Sequence, residues 1–223
     1  MKEIFDRRYP ATNLLLILST VVFLLMFVMR GFNYTSGQTL FDFGAVYGLA
    51  IKAMPSQLWR LLTATFVHIG LEHFVMNMVT LYFLGRQVEL IFGSWNFFLL
   101  YLLSGIMGNI FVLLWTPNVL AAGASTALYG LFAAVIVLRY AVRNPYIQQL
   151  GQSYLMLLVL NLIFSILTPG VSLAGHLGGA VGGALLAVVF PVRGEPFAYT
   201  KWQRLLAILV FVLVAVVSIW LAL

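Results

Sequence analysis

The chain has 223 residues with a mean hydropathy of +1.05, and only 8% of them are charged. A soluble globular domain carries about 25% charged residues, so this composition excludes one. The net charge of +6 suggests nucleic acid as a partner, but the basic residues are spread over several loops and form no single patch, which excludes that partner.

Seven apolar stretches recur along the chain, each near the ~20 residues that a helix needs to cross a bilayer. They are continuous rather than alternating, which favours helices over the strands of a membrane barrel. The sequence therefore predicts an all-α, polytopic helical membrane protein. The predicted spans are 11–29, 70–85, 95–115, 124–140, 146–167, 172–190 and 203–222.

The basic residues predict how the chain crosses the membrane. If the N-terminus is cytoplasmic, the basic residues on the cytoplasmic side are Lys2, Arg7, Arg8, Arg86, Arg139, Arg143, Arg193, Lys201 and Arg204. Those outside are Arg30, Lys52 and Arg60. Because cytoplasmic loops are enriched in Lys and Arg, we expect a multi-pass protein of the cell membrane with its N-terminus inside and its C-terminus outside. The longest outer stretch, 30–60, is rich in aromatic residues and is expected to lie in the outer interface.

Polar residues inside the predicted spans are the first candidates for function, because ionisable groups are costly in the hydrocarbon core. His73 and Asn77 are four residues apart and share one face of the second span. Taken alone, this pair is explained more simply as hydrogen bonding between helices. His176 lies in the sixth span beside a ridge of small residues that allows another helix to approach closely. That ridge consists of Gly175, Gly179 and Gly183.

A third polar feature is the segment GASTALYG at 123–130, which opens the fourth span and contains Ser125. Counted from the basic cytoplasmic edge of each helix, Ser125 lies roughly 21 Å deep, His176 roughly 25 Å and His73 roughly 20 Å, at ~1.5 Å per residue. Three helices thus bring these residues to one level, some 5–10 Å below the outer surface of a ~30 Å core. That convergence favours a single site over three unrelated packing contacts.

A hydroxyl and an imidazole at one level suggest nucleophilic catalysis. A serine nucleophile needs a neighbouring unprotonated histidine, and His176 can serve as that base. Ser125 stands at a helix N-terminus, where its backbone N–H would stabilise the oxyanion of an acyl-transfer intermediate. His73 and Asn77 could donate to the same oxyanion, and Gly123 would let the backbone approach a substrate closely.

No carboxylate is well placed in the sequence to orient His176. Asp42 lies in the outer loop, Glu72 stands beside His73 at a helix start, and Glu89 lies at the inner end of a span. We therefore expect a serine–histidine dyad rather than a triad. Turnover should be slow, since loss of the orienting Asp costs about 10⁴ in rate in a soluble serine protease. The chain contains no cysteine, so no disulfide, thiolate metal site or cysteine nucleophile is expected.

Four ordered motifs resemble those of the rhomboid family of intramembrane serine proteases. They are Trp59-Arg60 in the outer loop, HFVMNMVTLYFLGRQVE from His73, GASTALYG from Gly123 and AGHLGGAVGG from Ala174. The resemblance covers about 11–192 and implies the six-helix catalytic core of that family. Residues 1–10 would then be a short cytoplasmic N-terminus, and 193–223 a linker with an appended seventh helix. The implied activity is cleavage of transmembrane segments near the outer membrane face, through an acyl-enzyme and without metal or cofactor.

The resemblance also implies a role for individual residues. Ser125 would be the nucleophile and His176 the general base. Tyr129 would pack against that base, while Gly179 and Gly183 would bring the sixth helix against the fourth. The implied oxyanion hole consists of His73, Asn77 and the Ser125 backbone N–H. Thr126 stands where the family commonly has glycine, and its side chain could narrow the path to the oxyanion hole.

Three other classes of protein are alternatives to an intramembrane protease. A rhomboid-like protein without proteolytic activity could bind membrane proteins through the same fold. A transporter or channel would need coupling carboxylates at the midplane or paired broken helices, and the sequence shows neither. A haem-binding bundle could use His73 and His176 but would leave Ser125 and Asn77 unexplained. The expected partners are transmembrane substrates and the lipid bilayer, whereas the substrate's identity and the oligomeric state do not follow from the sequence.

Overall fold

A computed structural model describes residues 6–168, 170–195 and 197–223. Lys2 and half of the predicted cytoplasmic N-terminus therefore lie outside the described residues. The helices are α1 (Pro10–Arg30), α2 (Gly37–Asp42), α3 (Gly48–Ala53), α4 (Arg60–Thr63), α5 (Gly70–Thr80), α6 (Arg86–Phe92), α7 (Ser94–Trp115), α8 (Ser125–Leu138), α9 (Pro145–Leu167), α10 (Leu173–Val189) and α11 (Lys201–Ala222). Two short strands, β1 (Val46–Tyr47) and β2 (Leu120–Ala121), pair antiparallel.

Each predicted span coincides with a helix, which confirms a polytopic helical membrane protein. By length and composition, α1, α7, α9 and α11 can cross a membrane, while α8 and α10 are shorter apolar helices. Helical structure extends beyond residue 85, where the second predicted span ends. A π-helical turn at Leu81–Gly85 joins α5 to α6, so helical structure continues to Phe92. Arg86 lies inside this run with its guanidinium 3.7 Å from the centre of the Tyr82 ring, which offsets its removal from water.

Side-chain caps explain where several of these helices begin. The carboxylate of Glu89 accepts hydrogen bonds from the backbone N–H groups of Ala11 (3.0 Å) and Thr12 (2.8 Å) and from the Thr12 hydroxyl (2.7 Å). A carboxylate at this position satisfies free donors of α1 and complements its dipole. At α11, Thr200 and Gln203 form a reciprocal capping box. Buried Glu89 therefore has a structural role at the end of the helix bundle where α1 begins.

Helices α7, α8 and α10 form the centre of the molecule, and glycines allow their close packing. A Cβ added to Gly179 would overlap the carbonyl oxygen of Thr126, and one added to Gly183 would overlap that of Gly130. Gly130 in turn faces Ser104 of α7, and a Cβ added to Gly130 would overlap the Cβ of Ser104. Backbones at this separation require small residues on both helices. The ridge predicted from sequence thus sets the position of α10 against α8.

The segment between α1 and α5 is folded around Arg60. Its guanidinium donates to the carbonyl oxygens of Phe41 and Ala45 and to Gln57 Oε1, and lies 3.8 Å from the centre of the Phe41 ring. Only 4% of Arg60 is exposed, and each of these contacts compensates for its burial. Pairing of β1 with β2 then fixes this segment to the chain that leads into α8. The division of the chain at residues 10 and 192 stays a prediction.

Candidate active site

Ser125 is the first residue of α8, and the segment before it is held by the backbone. Gly123 has φ +135°, a conformation that residues with a side chain rarely adopt. Its N–H donates to the carbonyl oxygen of Ala64 at 2.9 Å. The next N–H, that of Ala124, donates to Nε2 of His68 at 3.4 Å. The residues leading into Ser125 are therefore held by hydrogen bonds to two other segments, and the first turn of α8 has N–H groups without partners inside the helix.

His176 reaches Ser125 from the first turn of α10. The helix is capped by Ser172, whose hydroxyl accepts from the N–H of Gly175 at 3.1 Å. Nε2 of His176 lies 3.0 Å from Oγ of Ser125, within hydrogen-bond distance. The ring of Tyr129 stacks on the imidazole with centroids 3.9 Å apart and an angle of 9° between the planes. A hydroxyl and an imidazole nitrogen in direct contact are the arrangement that proton abstraction from serine requires.

His73 lies on the other side of Gly123. A Cβ built on Gly123 would be 2.6 Å from Cε1 and 2.9 Å from Nε2 of His73, and 3.6 Å from Oγ of Ser125. Nδ1 of His73 accepts a hydrogen bond from the N–H of Ile69 at 3.3 Å. Because a neutral imidazole accepts at one nitrogen and donates at the other, Nε2 carries the proton. His73 thus has an N–H donor beside the position where a reacting carbonyl would meet Ser125.

Asn77 is one helical turn below His73 and is 5% exposed. Its Nδ2 donates to the carbonyl oxygen of His73 at 2.7 Å, which ties the side chain to its own helix. A side-chain amide has two N–H groups, so the second is available for another acceptor. The structure brings Ser125, His176, Tyr129, Gly123 and His73 together, whereas the recorded contact of Asn77 is with the backbone of α5.

The structure places the Thr126 side chain in the junction of α8 with α7 and α10. A Cβ on Gly108 of α7 would be 2.7 Å from Thr126 Cβ, and one on Gly175 of α10 would be 2.9 Å from Thr126 Cγ2. Among the described residues, the buried Thr126 hydroxyl has no hydrogen-bond partner. Thr126 therefore fills space between three helices.

Sequence reasoning did not identify two residues of the site. His68 is fully buried and accepts from the Ala124 N–H, while its Nδ1–H donates to the carbonyl oxygen of Phe66 at 3.1 Å. Ser165 of α9 lies 2.8 Å from Nδ1 of His176. A histidine five residues before His73 was the only signal for the first, and a lone serine in an apolar helix is no signal for the second. Both residues contact segments that the sequence analysis did place in the site.

Comparison with known proteins identifies the family. A family model described as the rhomboid domain matches residues 55–193, well over half of the chain. The chain belongs to the rhomboid family. It is 31% identical to Rhomboid protease GluP of Bacillus subtilis (strain 168) over 214 residues, which are 96% of this chain and 41% of that protein. It is 32% identical to Rhomboid-like protease 3 of Toxoplasma gondii over 172 residues, 76% of this chain and 64% of that protein.

One of the relatives of this chain is described by its name as inactive. Inactive RHOMBOID-like protein 8 of Arabidopsis thaliana is 36% identical over 91 residues, 40% of this chain and 26% of that protein. The chain spans about two fifths of the length of GluP and just under two thirds of the Toxoplasma protein. The rhomboid-domain match over most of the chain settles membership of the family and, with the apolar helices, the multi-pass membrane fold.

Proposed function

We propose that this rhomboid protein is an intramembrane serine endopeptidase that cleaves transmembrane segments of other membrane proteins near the outer membrane face. The observation that carries the proposal is the 3.0 Å contact between Ser125 Oγ and His176 Nε2 at the end of two packed helices. Family membership supports the reaction class. The predicted orientation, with the N-terminus cytoplasmic, would put this end of the bundle at the outer face of the cell membrane.

In the proposed reaction, Nε2 of His176 takes the proton of the Ser125 hydroxyl as Oγ attacks the scissile carbonyl carbon. The tetrahedral intermediate carries a negative oxygen, which the backbone N–H of Ser125, Nε2–H of His73 and the second N–H of Asn77 would stabilise. The protonated His176 then gives its proton to the leaving amine. An acyl-enzyme on Ser125 remains, and water attacks it with His176 again acting as base.

The supporting residues would keep this arrangement in register. Stacking of Tyr129 restricts rotation of the His176 ring, and the ridge of Gly179 and Gly183 sets the distance between α10 and α8. Gly123 leaves room beside His73 for the substrate's carbonyl oxygen. The partners in this proposal are transmembrane substrates within the bilayer, and the reaction needs no cofactor.

The alternative is a non-proteolytic rhomboid protein that binds membrane proteins. The sequence similarity to a relative named as inactive supports this alternative. The intact contact between Ser125 and His176 counts against it, because a protein that only binds has no need of a base at hydrogen-bond distance from a serine. The two functions differ in whether a bound transmembrane protein is cut.

The proposal is tested by cleavage of a single-pass transmembrane substrate in liposomes. Wild type, Ser125→Ala and His176→Ala are compared with Ser153→Ala, which removes an exposed hydroxyl on α9 that bonds only within its helix. We expect cleavage by wild type and Ser153→Ala and none by the other two. Cleavage that survives Ser125→Ala contradicts the mechanism. Binding of the substrate without any cleavage by wild type would favour the alternative.

A further inference from the structure

Ser165 lies in the last turn of α9 and is 4% exposed, although its neighbours along this part of the helix face outward. Three polar atoms surround its hydroxyl. Oγ is 2.7 Å from the carbonyl oxygen of Asn161, 3.0 Å from Oη of Tyr129 and 2.8 Å from Nδ1 of His176. It thus contacts the nitrogen of His176 that faces away from Ser125. The proposed dyad leaves that nitrogen without a role.

The direction of each hydrogen bond follows from what the groups can donate. A hydroxyl has one proton and two lone pairs. The Asn161 carbonyl oxygen can only accept, so a 2.7 Å contact requires the Ser165 proton to point toward it. The two lone pairs of Ser165 Oγ then accept from the Tyr129 hydroxyl and from Nδ1–H of His176. All three bonds are satisfied at once, which suits a site with so little access to water.

The opposite arrangement is disfavoured. If Ser165 donated to Nδ1, its oxygen and that of Asn161 would face each other at 2.7 Å with no proton between them. The imidazole would then carry its proton on Nε2, where it could not accept one from Ser125. The observed contacts therefore select the tautomer with Nδ1–H, and with it a lone pair on Nε2 directed at Ser125 Oγ.

We propose that Ser165 is a positioning residue that holds His176 in the tautomer and orientation needed to accept the Ser125 proton. The proposal rests on the proposed function, because it assigns to a neutral hydroxyl the orienting part that a carboxylate has in a serine triad. Three contacts then fix the ring, since Tyr129 covers its face while Ser125 and Ser165 occupy its two nitrogens. A hydroxyl brings no charge to stabilise the imidazolium, in keeping with the slow turnover that the sequence predicts.

The first test reads the tautomer directly and needs no activity. Nitrogen-15 spectra of protein labelled in its histidines are recorded for wild type and Ser165→Ala, at a pH where the His176 ring is neutral, with His176→Ala used for assignment. We expect Nδ1–H in wild type and a mixture, or Nε2–H, in Ser165→Ala. The matched control is Ser153→Ala, which removes the same kind of bond to the residue four positions earlier on α9. An unchanged His176 tautomer in Ser165→Ala overturns the proposal.

The second test asks whether the hydroxyl itself matters to cleavage. Ser165→Thr and Ser165→Val have nearly the same volume and differ in the hydroxyl, so the pair separates hydrogen bonding from packing even if Ser165→Ala unfolds. We expect Ser165→Val to cleave about tenfold more slowly than Ser165→Thr, the effect of one buried hydrogen bond. Equal rates for the pair overturn the positioning role. Failure of the proposed function is distinct, because wild type would then not cleave while the tautomer measurement still decides the role of Ser165.

Discussion

Gly123→Ala tests the contact between the segment before Ser125 and His73. Alanine at φ +135° costs about 1–3 kcal/mol of backbone strain. Its Cβ would also meet Cε1 of His73 at 2.6 Å, so the ring must move by close to 1 Å to reach the ~3.5 Å of an ordinary carbon contact. Misplacement of a catalytic group by that amount costs about 100-fold in rate. We therefore expect Gly123→Ala to cleave about 100-fold more slowly than wild type.

The assay is the initial rate of substrate cleavage in liposomes, with thermal unfolding in detergent measured in parallel. Gly194→Ala is the matched control, because Gly194 also has a positive φ of 77° but none of the described residues lies within 4 Å of a Cβ there. This variant should lose stability by the backbone cost alone and keep its cleavage rate. Wild-type rates in folded Gly123→Ala would refute the reasoning, as would an equal loss of activity in Gly194→Ala.

Three further substitutions test two residues beside the site and one at the start of α1. Thr126→Val removes a buried hydroxyl that has no partner among the described residues, so the cleavage rate should stay the same and the free energy of unfolding should stay level or rise by about 1 kcal/mol. A tenfold loss of rate would contradict the packing role. His68→Ala leaves the buried N–H of Ala124 without its acceptor, so the free energy of unfolding should fall by about 1–3 kcal/mol and the cleavage rate should fall as well. An unchanged cleavage rate would contradict the role of His68 in holding the segment before Ser125. Glu89→Ala removes the hydrogen-bond acceptor of Ala11 and Thr12, so the free energy of unfolding should fall by about 1.5–3 kcal/mol while the cleavage rate per folded molecule stays unchanged. A loss of rate per folded molecule would contradict a purely structural role.

The sequence predicted most of the helices because a membrane span needs a long apolar run, and such runs are visible without any tertiary information. Depth along the helix similarly brought Ser125 to the level of His176, since helical rise is constant. The π-helical turn at Leu81–Gly85 escaped prediction because it changes neither composition nor apolar length. The pairing of β1 with β2 involves two residues each, too few for a pattern.

The direction of a side chain within the bundle was harder to predict than its depth. The sequence indicated only that Thr126 could narrow the path to the oxyanion hole, whereas the structure shows that glycines of α7 and α10 leave a space that its side chain fills. Ser165 contacts His176 although the two residues belong to different helices, α9 and α10. Packing of both helices against α8 brings them together. Both outcomes depend on which helix faces border which neighbours, and a single sequence does not contain that information.

The central claim is that His176 activates Ser125 as a nucleophile, and covalent labelling tests it most directly. Detergent-solubilised wild type is treated with a fluorophosphonate, which reacts with activated serines, and the modified residue is located by peptide mass spectrometry. The account predicts a label on Ser125 in wild type, none at that position in Ser125→Ala and strongly slowed labelling in His176→Ala. An unlabelled Ser125 in protein that cleaves its substrate, or labelling at full rate in His176→Ala, would contradict it.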